Sequence, residues 1–350
     1  VIDLIVNAER HRGWSSVQIE HGMSQLAGAF SLAYIERGAA KKEAFPLFEG
    51  DRCSLIYKGA TVLEGYIDEA PAKYAAGSHS LSVAGRSKVG DLVDCSAMVT
   101  AGQLKKRTLK QIAEAVCLPF GITVKVETDI GGAFKKLDIE SGQSAFEVLE
   151  LAARQRGVLL TSNSNGDLVL TRAGNQRTAT VLRYGDNILS GEKSGSWAER
   201  FSEYHVRAQV SGSNDFAKKK ASAPKGDATD SFVLRYRPLV VIAEEEGTGE
   251  DLTRRAEWER NTRAGKSQRV LYRVRGWENL EGLWQSNTLV AVDDPVLRVH
   301  SEMLIEHVSL SFSEQGLLSE LTLVMPEALG VEPLPMPKGR SGKNSFFGGV

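Results

Sequence analysis

The stretch SLSVAGRSKVGDLVDCSAM, residues 80–98, gathers an arginine, serines, two aspartates and a cysteine behind a strand-like run and a glycine. Side chains of these types do acid, base or nucleophilic work when they converge. Asp91 with Asp94, and Asp293 with Asp294, are the carboxylate pairs that a sugar-cleaving mechanism would draw on. A domain junction is the competing account of the first pair. Asp91 and Asp94 lie three apart and fit one helical turn, Arg86 is within reach of either carboxylate, and Ser87 is placed to cap the helix after the strand LSVAG. For Asp293-Asp294-Pro295, between two apolar runs, turn geometry is the competing account.

Other chemistries lack their spacing. The histidines His11, His21, His79, His205, His300 and His307 form no HxxxH or HExxH pair, so the sequence assigns no metal site. No phosphate-cradling glycine loop or serine-hydrolase elbow stands at a strand-to-helix junction, and no cofactor is expected. Cys53, Cys95 and Cys117 are odd in number and lack CxxC spacing, which argues against a disulfide framework and reads as small buried hydrophobes. The run Lys218–Lys220 lacks the interleaved aromatics of a single-strand binder. Trp14, Trp197, Trp258, Trp277 and Trp284 read as core or interface anchors.

The elements that must position these residues follow from periodicity. Residues 1–86 carry period-two runs such as CSLIYKG, VLEGYID and HSLSVAG, separated by glycine and charge, as short antiparallel strands do. Past residue 100 the period becomes helical. TLKQIAEAV opens on a Thr108/Gln111 capping box and is stopped by Pro119; a second helix opens on Ser144/Glu147, with Gly157 at its end. Asn165-Gly166 then predicts a tight hairpin whose two central residues are left-handed. Residues 87–180 are therefore a separate α+β unit.

An internal repeat carries more information. Residues 53–85 and 288–326 both run strand, tight turn, strand, polar connection, strand. Ile67 answers Val308, Gly77 answers Gly316, and Leu81-Ser82-Val83 answers Leu321-Thr322-Leu323. Upstream, 17–35 is matched to 188–206, with Phe30 answering Phe201. The second copy is split by an insertion over about 211–268 that holds the lysine run, the acidic Glu244–Glu246 and a polar helix, EDLTRRAEWERNTRAG. The tail from Val331 is rich in Pro, Gly and Ser and reads as flexible or docked on a partner.

At 350 residues the chain exceeds what one core usually serves. Its formal net charge of -1 supplies no global attraction to nucleic acid or anionic membrane. The first residues meet Glu9, Arg10 and Arg12 too soon for a signal-peptide core, and no run approaches the ~20 apolar residues of a bilayer span. Cytoplasmic synthesis is the expectation.

Taken in order, FEGDRCSLIYKGATVLEGYID (48–68), SLSVAGRSKVGDLVDCSA (80–97), LPFGITVKVE (118–127), AFEVLELAARQRGVLLTSNSNGDLVLTR (145–172) and GLWQSNTLVAVDDPVLRVHSEMLIEHVSLSFSEQG with LTLVMPEA near the end carry a likeness. They resemble the baseplate hub proteins of Mu-type and related contractile-tailed bacteriophages, whose wider relatives include the base of the type VI secretion spike. The likeness runs from about residue 10 to 330.

The resemblance implies an α+β, β-rich fold with two related antiparallel β-barrel domains per chain. These fall at 1–86 and at 181–210 plus 269–330, with the α+β domain at 87–180, the insertion at 211–268 and the tail at 331–350. It also implies a homotrimer, in which three chains with two like domains each present six like surfaces, joining a three-fold spike to a six-fold tube. The implied partners are the tail spike protein, a tail tube or tube-adaptor protein and the tape-measure protein, with DNA only in transit and no membrane insertion. The implied location is the virion baseplate, after assembly in the bacterial cytoplasm. No catalytic, cofactor or metal residues transfer; Gly85, Arg86, Ser87, Asp91 and Asp94 are a structural marker. A cell-wall-degrading tail enzyme using a carboxylate pair, and a monomeric β-domain adaptor, are the alternatives.

Overall fold

The structure is a computed structural model that describes residues 2–37, 47–75, 78–99, 103–134, 136–138, 140, 142–174, 176–208, 224–243 and 249–330. Gly77, Lys218–Lys220, Glu244–Glu246 and the tail from Val331, all singled out by the sequence, lie outside the described residues. The chain divides into two compact units, one of residues 1–200 and 261–331, the other built around 201–260.

The larger unit begins with eight strands: β1 (Ile2–Val6), β2 (Glu9–His11), β3 (Ser16–Gly22), β4 (Ala29–Arg37), β5 (Arg52–Tyr57), β6 (Ala60–Glu69), β7 (Ala72–Ala75) and β8 (Ser78–Ser87). Alternation dictates them: in β1 every second residue, Ile2, Leu4 and Val6, is buried. An α+β section follows, with helices α1 (Gly90–Asp94), α2 (Leu109–Cys117) and α3 (Ala145–Arg154). Its strands are β9 (Gln103–Lys105), β10 (Val124–Val126), β11 (Lys136–Asp138), β12 (Leu159–Ser162) and β13 (Leu168–Thr171). Both expected capping boxes are formed, at Thr108/Gln111 and Ser144/Glu147.

After β14 (Gln176–Arg183) and β15 (Ile188–Gly195) the chain enters the smaller unit. This holds β16 (Glu203–Ala208), β17 (Lys225–Thr229), β18 (Pro238–Ala243) and the first three turns of helix α4 (Gly249–Lys266). The chain then makes β19 (Gln268–Arg275), β20 (Glu278–Asn279), β21 (Gly282–Leu283), β22 (Thr288–Asp294), β23 (Val299–Ser313) and β24 (Gly316–Val324).

The fold is mainly β, and its dominant feature is a 14-stranded, mostly antiparallel sheet with the path β15-β19-β24-β23-β3-β4-β8-β6-β5-β1-β2. The path does not close on itself among the described residues. Two stretches of it repeat one connectivity: β3-β4-β8-β6-β5 in the first half and β15-β19-β24-β23-β22 in the second. Leu81 and Val83 on β8 face Tyr34 and Leu32, as Leu321 and Leu323 on β24 face Tyr272 and Val270. The counterpart of β4 is thus β19. The match of Phe30 to Phe201 is overturned, because the strand after Phe201 pairs with β17 and β18 in a separate three-stranded sheet. The insertion therefore opens before Phe201, between β15 and the strand it pairs with, β19.

The halves are joined by main-chain hydrogen bonds, since the long β23 pairs with β22 at its start and with β24 and β3 towards its end. One apolar cluster runs beneath both, and Tyr57 meets Trp277 across it with ring centroids 4.9 Å apart. A second cluster, around Val89, Leu92, Ile112, Val148 and Leu170, belongs to the α+β section. Of the cysteines, Cys53 and Cys117 are buried but Cys95 is exposed, against the expectation for all three.

The Asn165-Gly166 turn also differs from expectation. Gly166 alone is left-handed, at φ +65, because Asn163 organises the loop: its Oδ1 accepts from the amides of Asn165 (3.1 Å) and Asp167 (2.9 Å).

Candidate functional site

The marker residues sit where β8 leaves the large sheet and enters α1. Gly85 is paired with Ile67 of β6 and with Phe30 of β4, and a Cβ there would lie 2.0 Å from the Tyr66 carbonyl oxygen and 2.8 Å from the Phe30 ring. Across the ladder, a Cβ on Gly65 would lie 1.8 Å from the Arg86 carbonyl oxygen. Real Cβ atoms do not approach below 3.0 Å, so the two backbones touch only because both positions are glycine.

That contact aims Arg86. Its Nε donates to Asp68 Oδ2 at 2.8 Å, and Nη1 and Nη2 donate to the two oxygens of Asp94 at 3.2 and 2.6 Å. A single guanidinium thus binds the end of β6 to helix α1 through a fork that fits a carboxylate. The two carboxylates raise the Arg86 pKa, Asp94 first, and Arg86 in turn holds Asp94 below the usual carboxylate range. Asp91 is pushed the other way, chiefly by burial, with the nearby Arg86 charge opposing the shift.

Ser87 is not the helix cap. The N-cap is Val89, with no side-chain cap, whereas Ser87 is buried and exchanges two bonds with Gly28: its amide donates to the Gly28 carbonyl (2.8 Å) and its Oγ accepts from the Gly28 amide (3.1 Å). The loop of the α+β section closes the joint from its other side. The Glu64 amide donates to the Ser164 carbonyl (2.9 Å), the Lys88 amide to the Glu64 carbonyl (3.1 Å), and Ser162 Oγ to the Leu26 carbonyl (2.6 Å). Beyond α1, Ala145 donates to the Cys95 carbonyl at 2.9 Å, so α1 is tied to α3 as well.

Beside the joint lies a pocket of about 120 Å³ lined by His21, Val62, Ser162, Asn163, Trp284 and Asn287, among others. His21 packs against Gly28, and burial pushes its pKa down to about 4, helped by the charge of His307 and opposed by a hydrogen bond with the Val62 backbone. Sequence reasoning missed His21, Asp68, Gly65 and Gly28. Asp68 and Gly65 lie on a neighbouring strand whose register is invisible locally.

The second carboxylate pair does not converge. Asp293 and Asp294 are consecutive in β22 and point to opposite faces. Asp294 is buried and closes the turn, accepting from the amides of Val296 (2.8 Å) and Leu297 (3.0 Å) and from the Tyr272 hydroxyl (3.0 Å). Asp293 meets His300 at the surface, 2.9 Å away. Burial first, then the Asp294 carboxylate, raise the Tyr272 pKa. Among the described residues no group of three or more His, Cys, Asp or Glu could hold a metal ion, and no helix is long and apolar enough to cross a membrane.

The segments on either side of the joint match separate protein families. Residues 1–87 match the family described as Mu phage baseplate assembly protein GpP-like, N-terminal, and residues 89–172 match baseplate hub protein gp44-like, second domain. Residues 248–332 match Mu phage baseplate assembly protein GpP, fourth domain. Over 347 residues the chain is 35% identical to the baseplate hub protein gp44 of Escherichia phage Mu, covering 96% of this chain and 90% of that protein. The chain belongs to the Mu-type phage baseplate hub family.

As a member of that family it is a structural component of the phage tail and so of the virion. The crystal structure of the 43 kDa tail protein of prophage MuSo2 from Shewanella oneidensis is similar over 94% of this chain and 99% of that chain, with 37% identity and a TM-score of 0.84. The tail protein from Neisseria meningitidis MC58 is 22% identical over 95% of this chain and 99% of its own, with a TM-score of 0.78. A component of the Escherichia coli type VI secretion system shares the fold, at 10% identity and a TM-score of 0.55, over 95% of this chain and 80% of that one. Gly85, Arg86 and Ser87 close the first matched segment, and Asp91 and Asp94 open the second.

Proposed function

We propose that this baseplate hub works as a homotrimer that joins a six-fold tail tube to a three-fold spike and leaves a hydrated channel for DNA. The single observation that supports this reading is the repeated connectivity: one chain carries β3-β4-β8-β6-β5 and again β15-β19-β24-β23-β22. Two like sheets per chain in three copies give six like surfaces, while the rest of the chain remains three-fold. Symmetry is thereby matched with no chemical step.

In this reading each sheet half curls towards a barrel. The register shifts at Leu55/Ile56, Ile67/Glu69 and Ile305/His307 favour such curvature, because a bulge bends a strand and increases its twist. The first barrel occupies 1–86, the α+β domain 87–180, and the second barrel combines a segment from 181 with 269–330, the insertion lying between. Gly85, Arg86, Ser87, Asp91 and Asp94 act as a structural joint that sets the α+β domain against the first barrel, and the protein is not an enzyme. Its partners are the spike protein, the tube or tube-adaptor protein and the tape-measure protein, with DNA in transit; assembly takes place in the host cytoplasm. The near balance of 43 basic and 44 acidic residues suits a passage that must release DNA.

Native mass spectrometry, alone and with the spike protein, tests the reading. A species of three times the 38.1 kDa chain is expected. A monomer under both conditions overturns it in favour of a monomeric adaptor.

A further inference from the structure

Asn165-Gly166 is the only Asn-Gly step in the sequence, and its chemistry is separate from the turn it makes. With no Cβ on the glycine, the main-chain nitrogen of residue 166 can reach the side-chain carbonyl of the asparagine before it. In a flexible chain such a step rearranges spontaneously. What the fold does with this one is therefore a property of the protein.

The loop requires the glycine and makes no use of the asparagine side chain. Gly166 is buried at φ +65, and a Cβ there would lie 2.6 Å from Lys88 Cγ and 3.0 Å from the Glu64 carbonyl oxygen. A side chain at 166 would be both strained and crowded. Asn165 is exposed, and among the described residues its side-chain amide has no hydrogen-bond partner; only its main-chain amide is held, by Asn163 Oδ1 at 3.1 Å. The residue type that makes Asn165 labile is thus the one the turn cannot replace.

The same loop withholds the nucleophile. The Gly166 amide donates to the Asn163 carbonyl at 2.9 Å. Asn163 braces the turn further, accepting from the Asp167 amide (2.9 Å) and donating through Nδ2 to Asp167 Oδ2 (3.1 Å). From the neighbouring strand β6 the Glu64 amide donates to the Ser164 carbonyl (2.9 Å), and Lys88 Nζ stands 4.0 Å from Asp167. For the Gly166 nitrogen to meet Asn165 Cγ, the peptide plane between them must rotate. Rotation breaks the bond to Asn163 and drives the glycine against Lys88.

We propose that Asn165 is a modification site, a deamidation centre that the closed loop holds shut and that opening of the loop releases. In the opened chain the Gly166 nitrogen bonds to Asn165 Cγ, the Cγ–Nδ2 bond breaks, and Nδ2 leaves as ammonia with the proton of the Gly166 amide. The product is a five-membered imide. Water then opens it at either carbonyl: cleavage at Cγ leaves aspartate, and cleavage at the main-chain carbonyl leaves isoaspartate. Nothing is oxidised or reduced. Isoaspartate adds one carbon to the main chain between the Ser164 carbonyl and the Gly166 amide, so their bonds to Glu64 and Asn163 fall out of register. An opening of this loop is thereby made permanent, whatever the oligomeric state of the chain.

Peptide mapping by mass spectrometry, with isoaspartyl methylation to count the rearranged product, tests this on the full chain held at mildly alkaline pH, native or in guanidinium chloride. The unfolded chain is expected to convert Asn165 ahead of every other asparagine, and the native chain at least about tenfold more slowly, because several hydrogen bonds must open first. Asn163→Ala, which removes the side chain bracing the turn, is expected to speed conversion roughly fivefold or more in a chain that circular dichroism shows to be folded. A native chain that converts as fast as the unfolded one overturns the gating, and an unfolded chain unchanged at 165 overturns the site. A folded Asn163→Ala protein that converts at the parent's rate overturns the role of the loop. Should that variant not fold, the parent's ratio of native to unfolded rates decides alone.

Discussion

Substitution of Gly85 by alanine tests whether the joint is held by backbone contact or by the arginine beside it. The new Cβ would stand 2.0 Å from the Tyr66 carbonyl oxygen, so β6 must retreat by about 1 Å to reach the 3.0 Å limit of real contacts. Retreat breaks the ladder at Gly65↔Ser87 and Ile67↔Gly85, at about 1 kcal/mol for each of two hydrogen bonds. Overpacking against Phe30 adds about 1–3 kcal/mol, for a total of about 3–5 kcal/mol. The ion pairs weigh less. The Arg86 side chain is 40% exposed and its partners Asp68 and Asp94 are 39% and 50% exposed, so each pair is worth about 0.2–1 kcal/mol and is screened by salt. Urea unfolding followed by the buried Trp14, Trp277 and Trp284 should rank Gly85→Ala well below Arg86→Met. The loss from Arg86→Met should shrink at high salt and that from Gly85→Ala should not. A Gly85→Ala protein within about 1 kcal/mol of the parent, or one more stable than Arg86→Met, refutes this reasoning.

Other expectations follow from the same geometry. His21 has its pKa lowered from 6.5 to about 4, so the unfolded chain takes up a proton first as pH falls. The stability present above pH 6.5 is lost between 6.5 and 4, by about 3 kcal/mol, and His21→Gln should flatten that part of the urea-midpoint profile. A thiol reagent should label Cys95 alone in the native protein, because Cys53 and Cys117 are buried and their pKa is pushed up to about 12; labelling of all three should require denaturant. Asp294→Asn should cost about 2 kcal/mol in urea unfolding through its three hydrogen bonds, and Asp293→Asn almost nothing. In a peptidoglycan-clearing assay, asparagine at 91, 94, 293 or 294 should leave the rate at the buffer level shown by the parent.

What was legible in the sequence was local. Thr108/Gln111 and Ser144/Glu147 declare their helices because both partners of a capping box lie within one turn. The alternation of Ile2, Leu4 and Val6 declares a strand in the same way. Long-range pairing was not legible. Phe201 was matched to Phe30 because it follows the next strand in order, whereas the real counterpart of β4 begins at Gln268, across the whole smaller unit. The seam of β3 with β23 joins residues nearly 300 positions apart and leaves no periodic trace. At the joint, the spacing of Asp91 and Asp94 located α1 but could not show that Arg86 divides itself between Asp94 and Asp68, since Asp68 arrives through strand register. Ser87 was misplaced as a cap because its partner, Gly28, is fixed by tertiary pairing. Asn165-Gly166 marked a turn correctly, but the Asn163 side chain chose its type.

The account depends most on the two halves of the large sheet standing as like neighbours around one ring. An electron cryomicroscopy reconstruction of the assembled hub, calculated without imposed symmetry, measures this directly through its rotational harmonics. The prediction is a strong six-fold component in the layer containing the large sheet, with three-fold density in the layers formed by the rest of the chain. A reconstruction with only three-fold harmonics throughout, or with no ring at all, contradicts it.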